Sequence, residues 1–361
     1  MTHLPDSLLI PPATAASAAV AVFTERVSLL RYVKMHGAGN SFVISENLRG
    51  ELDDVDLCNL ARRMCSPKTG PGADGLIIVA PGPEDADFGM LFFNSDGSLG
   101  EMCGNGARCI ARYGVEHGLS QDPEHIRFQA TAGRLTARRI TGERYEVRLN
   151  NPSIVDLNRL AEVDGGKVPC AYVELGSPGI PHAVTEVSPD ALAPVFAAYS
   201  DFARGKTGVP ELPLSLRERG RQLRFSPAFP KGANVTFFTQ TGEAQVRAIT
   251  FERGVEDFTL ACGTGCGATA VSLMLRGQIP GDTLEILMPG GVLTVRMHKT
   301  GGAVSEILLT GPTAVVEEGE FTVRETAQRD KTAPVKPVKS SFHRRFPLPS
   351  GRDAAVRCCV E

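Results

Sequence analysis

The sequence predicts a mixed α/β fold built from two similar halves, and three observations lead there. The phrase Cys-Gly-X-Gly occurs twice, at Cys103–Gly106 and again at Cys262–Gly265. Each copy follows short strand-like apolar runs and opens a stretch whose apolar residues recur at helical spacing. A chain of 361 residues is also too long for one ordinary core and comfortable for two.

The first half is punctuated from Arg31 onward. Tyr32 to Met35 alternates like a strand, residues 36–40 turn, and Phe42 to Ile44 resumes a strand. Leu57 to Met64 has the spacing of a helix. Gly75 to Ala80 reads as a buried strand and Phe88 to Phe93 as another, ending in the turn Asn94 to Gly97. After Cys103, Ala107, Ile110, Ala111 and Val115 define a helix face and Gly118 supplies a stop. Two or three alternating strands follow between Arg127 and Val147.

A second round begins with the strand Ala171 to Leu175, a turn at Gly179 and Pro181, and Ala183 to Val184. The Pro-dotted stretch Tyr199 to Arg224 reads as a partly helical insertion. Strands at Asn234 to Phe238 and Ala244 to Phe251 lead to the second phrase, after which Ala268, Ala270, Val271, Met274 and Leu275 again mark a helix. Thr283 to Met288, Gly291 to Met297, Ser305 to Leu309 and Thr313 to Val323 complete the body. The division predicted is an extension at 1–30, one domain at 31–152, a second at 153–312, a last strand at 313–323 returning to the first, and a disordered basic tail at 324–361.

Composition limits the function. Hydrophobic residues make up 42% and charged residues 22%, near globular averages, so the chain buries a core. A net charge of −3 provides no basic field for phosphate backbones, which argues against a nucleic-acid partner and for a small molecule. Nine cysteines, an odd number without framework spacing, point to reduced thiols in a cytoplasmic setting. The apolar stretch Pro12 to Phe23 is too short to span a bilayer and follows Asp6 rather than a basic segment, so no membrane association is expected.

The two phrases carry the chemistry. A cysteine just before the first turn of a helix faces unpaired N–H groups and the positive end of the macrodipole, which favours the thiolate and is expected to lower its pKa. The glycines at 104, 106, 263 and 265 allow the backbone close to a ligand, and their N–H groups suit an anion. Two such thiols flanking one carbon would remove a proton from one face and return one to the other. A single base would hand the proton back on the side it left. An adjacent carboxylate would need the converging N–H dipoles, because charge builds there as the α-proton leaves.

Several blocks stand in order along the body. Residues 35–42 read Met-His-Gly-Ala-Gly-Asn-Ser-Phe, 93–97 Phe-Asn-Ser-Asp-Gly, and 101–108 Glu-Met-Cys-Gly-Asn-Gly-Ala-Arg. Residues 232–235 read Gly-Ala-Asn-Val, 252–255 Glu-Arg-Gly-Val, and 259–265 Thr-Leu-Ala-Cys-Gly-Thr-Gly. Together they resemble the cofactor-independent diaminopimelate epimerases, from about Tyr32 to about Val323. The resemblance implies two pseudo-symmetric α/β domains, each a curved, mostly antiparallel sheet around a central helix, with the site in the cleft between them. It implies Cys103 and Cys262 as acid/base thiols and the N–H groups of Gly104, Asn105, Gly263 and Thr264 as the cradle of the reacting carboxylate. It further implies substrate contacts from Asn40, Asn94, Asn234 and Arg253, and Glu252 and His182 beside the reacting amino group and thiols. No cofactor and no metal are implied, and a homodimer is left open.

The chain departs from the family pattern at Ser41, Gly75 and Ile180, where the family usually carries Asp, Gln and Asn. The last two departures remove side chains used around the substrate. Three rival readings remain in view. A zinc or redox site from Cys103, Cys109, Cys262 and Cys266 lacks the Cys-X2-Cys knuckle. A non-catalytic anion-binding module would use the same two helix starts. A racemase of another amino acid, such as proline or histidine, would keep the two-thiol mechanism. Cys58, Cys65 and Cys170 read as small buried residues, and Cys109 and Cys266 as packing within their helices.

Overall fold

The computed structural model describes residues 23–100, 103–203 and 213–328. Strands β1 (Phe23–Gly37) and β2 (Asn40–Glu46) form a hairpin closed by Ala38 and Gly39, at φ 52° and 85°. Helix α1 (Leu57–Cys65) starts on Asp56, whose carboxylate accepts from the Asn59 N–H. Then come β3 (Gly75–Ala80), β4 (Phe88–Asn94), β5 (Leu99–Gly100), helix α2 (Gly104–Glu116), β6 (Ile126–Ala130), β7 (Gly133–Arg139) and β8 (Arg144–Leu149).

Strand β9 (Pro152–Val163) ends the first series, and the second begins with β10 (Gly166–Leu175), β11 (Ile180–Glu186), α3 (Pro189–Ala203) and α4 (Leu214–Arg224). It continues with β12 (Asn234–Gly242), β13 (Gln245–Glu252), β14 (Asp257–Thr259) and α5 (Gly263–Leu275). It closes with β15 (Thr283–Met288), β16 (Gly291–Thr300), β17 (Ala303–Pro312) and β18 (Ala314–Gln328).

The strand pairings repeat with an offset of nine strands. β1–β2 and β10–β11 are antiparallel, β2–β3 and β11–β12 parallel, β3–β4 and β12–β13 antiparallel. The pairs β4–β6 and β13–β15 are again both parallel, while β6–β7–β8 and β15–β16–β17 are antiparallel meanders. The two series are joined where β8 pairs with β17, and each is completed by the other's last strand, β18 on β1 and β9 on β10. The repeat of one short phrase is therefore the visible part of a repeat of topology.

Burial explains the strand sequences. In β3 every residue is buried, because Leu76 and Ile78 pack with α1 while Ile77 and Val79 face the core that holds α2. Both phrase-opened helices are enclosed: α2 touches β1, β2, β7, β8 and β17, and α5 touches β10, β11, β12, β15, β16 and β17. One apolar cluster contains Ala107, Ile110 and Ala111 of α2 together with Ala268, Val271 and Leu273 of α5. A helix apolar on most of its circumference is stable only when wrapped on most sides.

Several expectations need correction. The first strand begins at Phe23, not near Tyr32, and β18 runs on to Gln328, because residues 23–28 pair with 323–328. Residues 23–30 are thus strand rather than extension, and 324–328 strand rather than tail; residues 1–22 and 329–361 lie outside the described residues. The second round starts at Gly166 with β10 rather than at Ala171, and the strand before it, β9, was not expected: its apolar residues Ile154, Val155, Leu157, Leu160, Ala161 and Val163 keep no single two-residue period, and its pairing with β10 defines it. Pro181 lies within β11 rather than in a turn, near the strand's start where a missing N–H is tolerated. The region from Tyr199 to Arg224 includes the end of α3 and all of α4, with 204–212 outside the described residues.

Phe88 and Phe128 stack in the core with centroids 5.4 Å apart and planes 5° from parallel. Phe128 is 0% exposed. Phe128→Ala is expected to cost about 3–5 kcal/mol, the range for deleting a buried aromatic ring, read as a lowered urea midpoint.

Candidate active site

The two cysteines occupy equivalent positions. Cys103 is the N-cap of α2 and Cys262 the N-cap of α5, with extended backbones at φ −134°, ψ 116° and φ −118°, ψ 106°. The Cys262 sulfur accepts the Gly265 N–H at 3.3 Å, as a side chain capping its own helix does. The helix starts meet: a Cβ built on Gly263 would lie 3.6 Å from the Gly104 Cα and 2.8 Å from Leu309 Cδ2. Asn105 bridges the halves, its Nδ2 donating to the Ala261 carbonyl at 2.9 Å and to Asn40 Oδ1 at 3.2 Å. The Cys103 thiol donates to the same Asn40 oxygen at 3.6 Å.

Glycine is required at Gly265 because the space is filled. A Cβ there would meet Thr250 Oγ1 at 2.8 Å, Thr236 Oγ1 at 2.9 Å and the Cys262 sulfur at 3.2 Å. The β1–β2 turn is likewise held against the other half, with a Cβ on Gly290 falling 1.8 Å from the Ala38 carbonyl oxygen. Leu260, next to the second phrase, packs on Gly39. The turn that presents Asn40 is thereby fixed to the strand that presents Cys262.

Glu252 joins this cluster. Its carboxylate accepts from Thr259 Oγ1 at 2.5 Å, and it lies near enough to Cys262 for each to act on the other's proton. Burial, with help from Asp74, pushes the Glu252 carboxyl upward, so its proton is held more tightly than usual. Asn234 is buried and donates to the Pro181 carbonyl at 3.3 Å, while its Oδ1 accepts the Arg253 N–H at 2.8 Å. The Arg253 side chain is exposed and reaches the Lys231 carbonyl at 3.3 Å. Asn94 is exposed at the end of β4 and bonds Ser98 within its own turn, apart from the Asn40–Asn105–Cys103 network. The Thr264 hydroxyl lies 3.6 Å from the Cys262 sulfur.

The expected lowering of the thiol pKa is not found. Burial pushes Cys103 up to about 11 and Cys262 well above the ordinary value; N–H donors at the helix starts pull both back only in part. Desolvation of a closed site outweighs a helix terminus carrying roughly half a charge. Cys109 and Cys266 are 0% and 1% exposed and pack inside their helices, and Cys58, Cys65 and Cys170 are buried. Among the described residues no cluster of three or more His, Cys, Asp or Glu has the arrangement of a metal site.

Three residues of the cluster were not singled out from sequence. Asp74 accepts from Asn40 Nδ2 at 2.9 Å, the Ser41 N–H at 2.7 Å and Ser41 Oγ at 3.0 Å. Its signal was the Gly-Ala-Asp turn before β3. Thr259 lay in a quoted block without a role, and so did Arg108, which is 0% exposed. At the departure Gly75, the Phe92 ring fills the space, its Cε2 only 2.5 Å from where a Cβ would stand.

His182 is 0% exposed and both ring nitrogens lack a hydrogen-bond partner among the described residues. Burial, reinforced by the charge of Arg253, lowers its pKa to about 3, so the ring is neutral at working pH. The unfolded chain binds a proton there below about pH 6.5 while the folded protein does not, so this contribution is present above that pH and is lost as pH falls toward 3. Stability is expected to decline by roughly 1.4 kcal/mol per pH unit from this group in that window. Chemical denaturation of His182→Leu should show a shallower acid slope than the unsubstituted protein.

The family model for diaminopimelate epimerase matches residues 32–154 and 209–316. A diaminopimelate epimerase of Aquifex aeolicus (strain VF5) is 34% identical over 303 residues, covering 81% of this chain and 98% of that protein. The enzyme of Bacteroides thetaiotaomicron is 34% identical over 302 residues, with the same coverage. Among solved structures, a PhzF-family phenazine biosynthesis protein of Bacillus anthracis superposes with a TM-score of 0.59 at 14% identity, covering 81% of this chain and 99% of that one. A hydroxyproline epimerase from Agrobacterium vitis gives 0.55 at 17% identity, covering 81% and 91%; both likenesses concern the fold. On the match of the family model and the identity to these relatives over most of their length, the chain belongs to the diaminopimelate epimerase family.

Proposed function

We propose that the protein interconverts LL- and meso-2,6-diaminopimelate by proton transfer at one α-carbon, with Cys103 and Cys262 as the two acid/base groups. The observation that carries this reading is the meeting of two cysteine-capped helix starts through Gly104 and Gly263. One sulfur, as thiolate, takes the α-proton and becomes a thiol. The electron pair left on carbon is delocalised into the adjacent carboxylate, held by the N–H groups of Gly104, Asn105, Gly263 and Thr264. The other sulfur, as thiol, delivers its proton to the opposite face and becomes the thiolate. The centre is inverted, and the two sulfurs have exchanged roles.

Glu252 is suited to receive the substrate's ammonium group beside Cys262, since the charge of that group would offset the carboxylate's burial. Arg253, with an exposed guanidinium, is suited to a second carboxylate as a bidentate partner. Asn40, Asn234 and Asn94 supply amides around the substrate, and His182, neutral, shapes the wall near Arg253. A cytoplasmic setting fits a reaction that needs both thiols reduced.

The test is exchange of the α-proton in D2O with fully reduced protein, offered LL- and meso-diaminopimelate alongside proline, histidine and glutamate. Deuterium is expected in diaminopimelate alone. Cys103→Ala and Cys262→Ala are each expected to lose at least about 10²-fold in epimerisation, the lower end for removing a general acid or base. Exchange only in another amino acid would replace the substrate and keep the thiols, and exchange in none would favour an anion-binding module.

A further inference from the structure

Two amides at the site are oriented by groups whose hydrogen-bonding sense is fixed. A carboxylate accepts, a guanidinium donates, and an amide does one at each end. Asp74 Oδ2 accepts from Asn40 Nδ2 at 2.9 Å, so Asn40 turns its oxygen inward. Arg108 Nη2 donates to Asn105 Oδ1 at 2.8 Å, and the Ala261 carbonyl accepts from Asn105 Nδ2 at 2.9 Å, so Asn105 turns its nitrogen toward Asn40. The two amides meet at Asn40 Oδ1, which accepts from Asn105 Nδ2 at 3.2 Å and from the Cys103 thiol at 3.6 Å. Cys103 thus faces an acceptor, to which a sulfur bonds only as S–H. At Cys262 the geometry differs: the sulfur accepts the Gly265 N–H at 3.3 Å and lies beside the Thr264 hydroxyl, which donates or accepts equally well.

The inner end of this chain is secured twice. Arg108 and Asn105 are 0% and 2% exposed, and Arg108 Nη1 also donates to the Gly104 carbonyl at 3.2 Å. The outer end rests on Asp74, which is exposed and interlocked with Ser41. Its Oδ2 accepts the Ser41 N–H at 2.7 Å and Ser41 Oγ at 3.0 Å, and its own N–H donates to the Ser41 carbonyl at 3.0 Å. All three donors use the one oxygen. Without that oxygen the Asn40 amide swings away or turns over. Either movement withdraws Oδ1 from Cys103 and leaves amide hydrogens, of Asn40 or of Asn105, facing the sulfur, where they favour the thiolate. The other groups facing Cys103 are the N–H groups of Asn105 and Gly106, Glu252 from β13, and Arg108 and Cys109 from α2.

We propose that Asp74 is a positioning residue for Cys103: by fixing the Asn40 amide it keeps an acceptor in front of the thiol and holds the proton on that sulfur while no ligand is bound. The proposal rests on the reading of Cys103 as one of the two acid/base groups. It adds what keeps that group un-ionised, and so slow to be alkylated or oxidised, in the empty site. What matters at position 74 is an oxygen that accepts, not a negative charge.

The experiment is limited alkylation of the full-length protein with iodoacetamide, without substrate, from about pH 6 to about pH 11, a range that brackets the ordinary thiol value near 8.5. Occupancy at Cys103 and at Cys262 is read by peptide mass spectrometry. A change of access alone scales a pH profile and leaves its midpoint, so the midpoint reports ionisation. Asp74→Asn keeps an oxygen for the three donors and loses the charge, and Asp74→Ala loses both. The Cys103 midpoint is expected to fall by about one unit in Asp74→Ala relative to Asp74→Asn, a tenfold rise in thiolate fraction below the midpoint. Asp74→Asn is expected to match the unsubstituted protein, and the Cys262 midpoint to stay in place in both variants. Equal Cys103 midpoints in Asp74→Ala and Asp74→Asn, or a joint fall at Cys103 and Cys262, overturns the proposal. Should Asp74→Ala not fold, neutron diffraction from the unsubstituted protein decides. Deuterons on Asn40 Nδ2 toward Asp74 and on the Cys103 sulfur toward Asn40 Oδ1 support the proposal, and a reversed amide or a bare sulfur overturns it. No amino-acid substrate enters either measurement, so the outcome is separate from whether diaminopimelate is turned over.

Discussion

The rest of the structure depends on the close approach of two helix N-termini. Peptide dipoles at the two starts point the same sign of partial charge at one place, and such ends repel unless something negative lies between them. What holds them is the fit of Gly104 to Gly263, with no Cβ on either, and the Asn105 amide that crosses to the Ala261 carbonyl. The strand exchange of β9 and β18 and the shared β8–β17 ladder then fix the two series against each other over a long front. An arrangement that would be unfavourable for isolated helices is thereby held in one fixed geometry.

The same enclosure sets the electrostatics. Burial favours the neutral forms of both thiols and of His182, and it makes every remaining charge matter more. Glu252 reinforces the rise at both thiols, and Arg108 opposes it weakly at Cys103. A pseudo-symmetric backbone with asymmetric charges suits chemistry on a substrate whose two faces must be treated differently at any one moment. The reprotonating group has to be neutral while the deprotonating group is charged.

Asp74 shows how a departure is absorbed. Ser41 contributes a hydroxyl and an N–H, and both turn to the Asp74 carboxylate along with the Asn40 amide. Asn40 is thereby oriented with its oxygen toward Cys103 and Asn105. At Gly75 the change is apolar instead, since the Phe92 ring takes up the volume beside the backbone.

By itself the sequence determined the repeat, the helices that follow each cysteine, most strands, and the two thiols, because these are local: periodicity, a glycine-rich turn, and a cap residue are all read within a few positions. Strand β9 was illegible because its apolar residues, Ile154 and Val155 side by side and Leu160 and Ala161 likewise, keep no single two-residue period; its partner β10 defines it. The ends of β1 and β18 were missed for the same reason, each being strand because the other is there. Only the tertiary structure could bring Ala261 to Asn105 across 156 positions, enclose Arg108 with no carboxylate partner among the described residues, and reverse the expected direction of the thiol pKa values. Desolvation depends on what surrounds a group from every side, and that is decided by the whole fold rather than by the residues next to it in the chain.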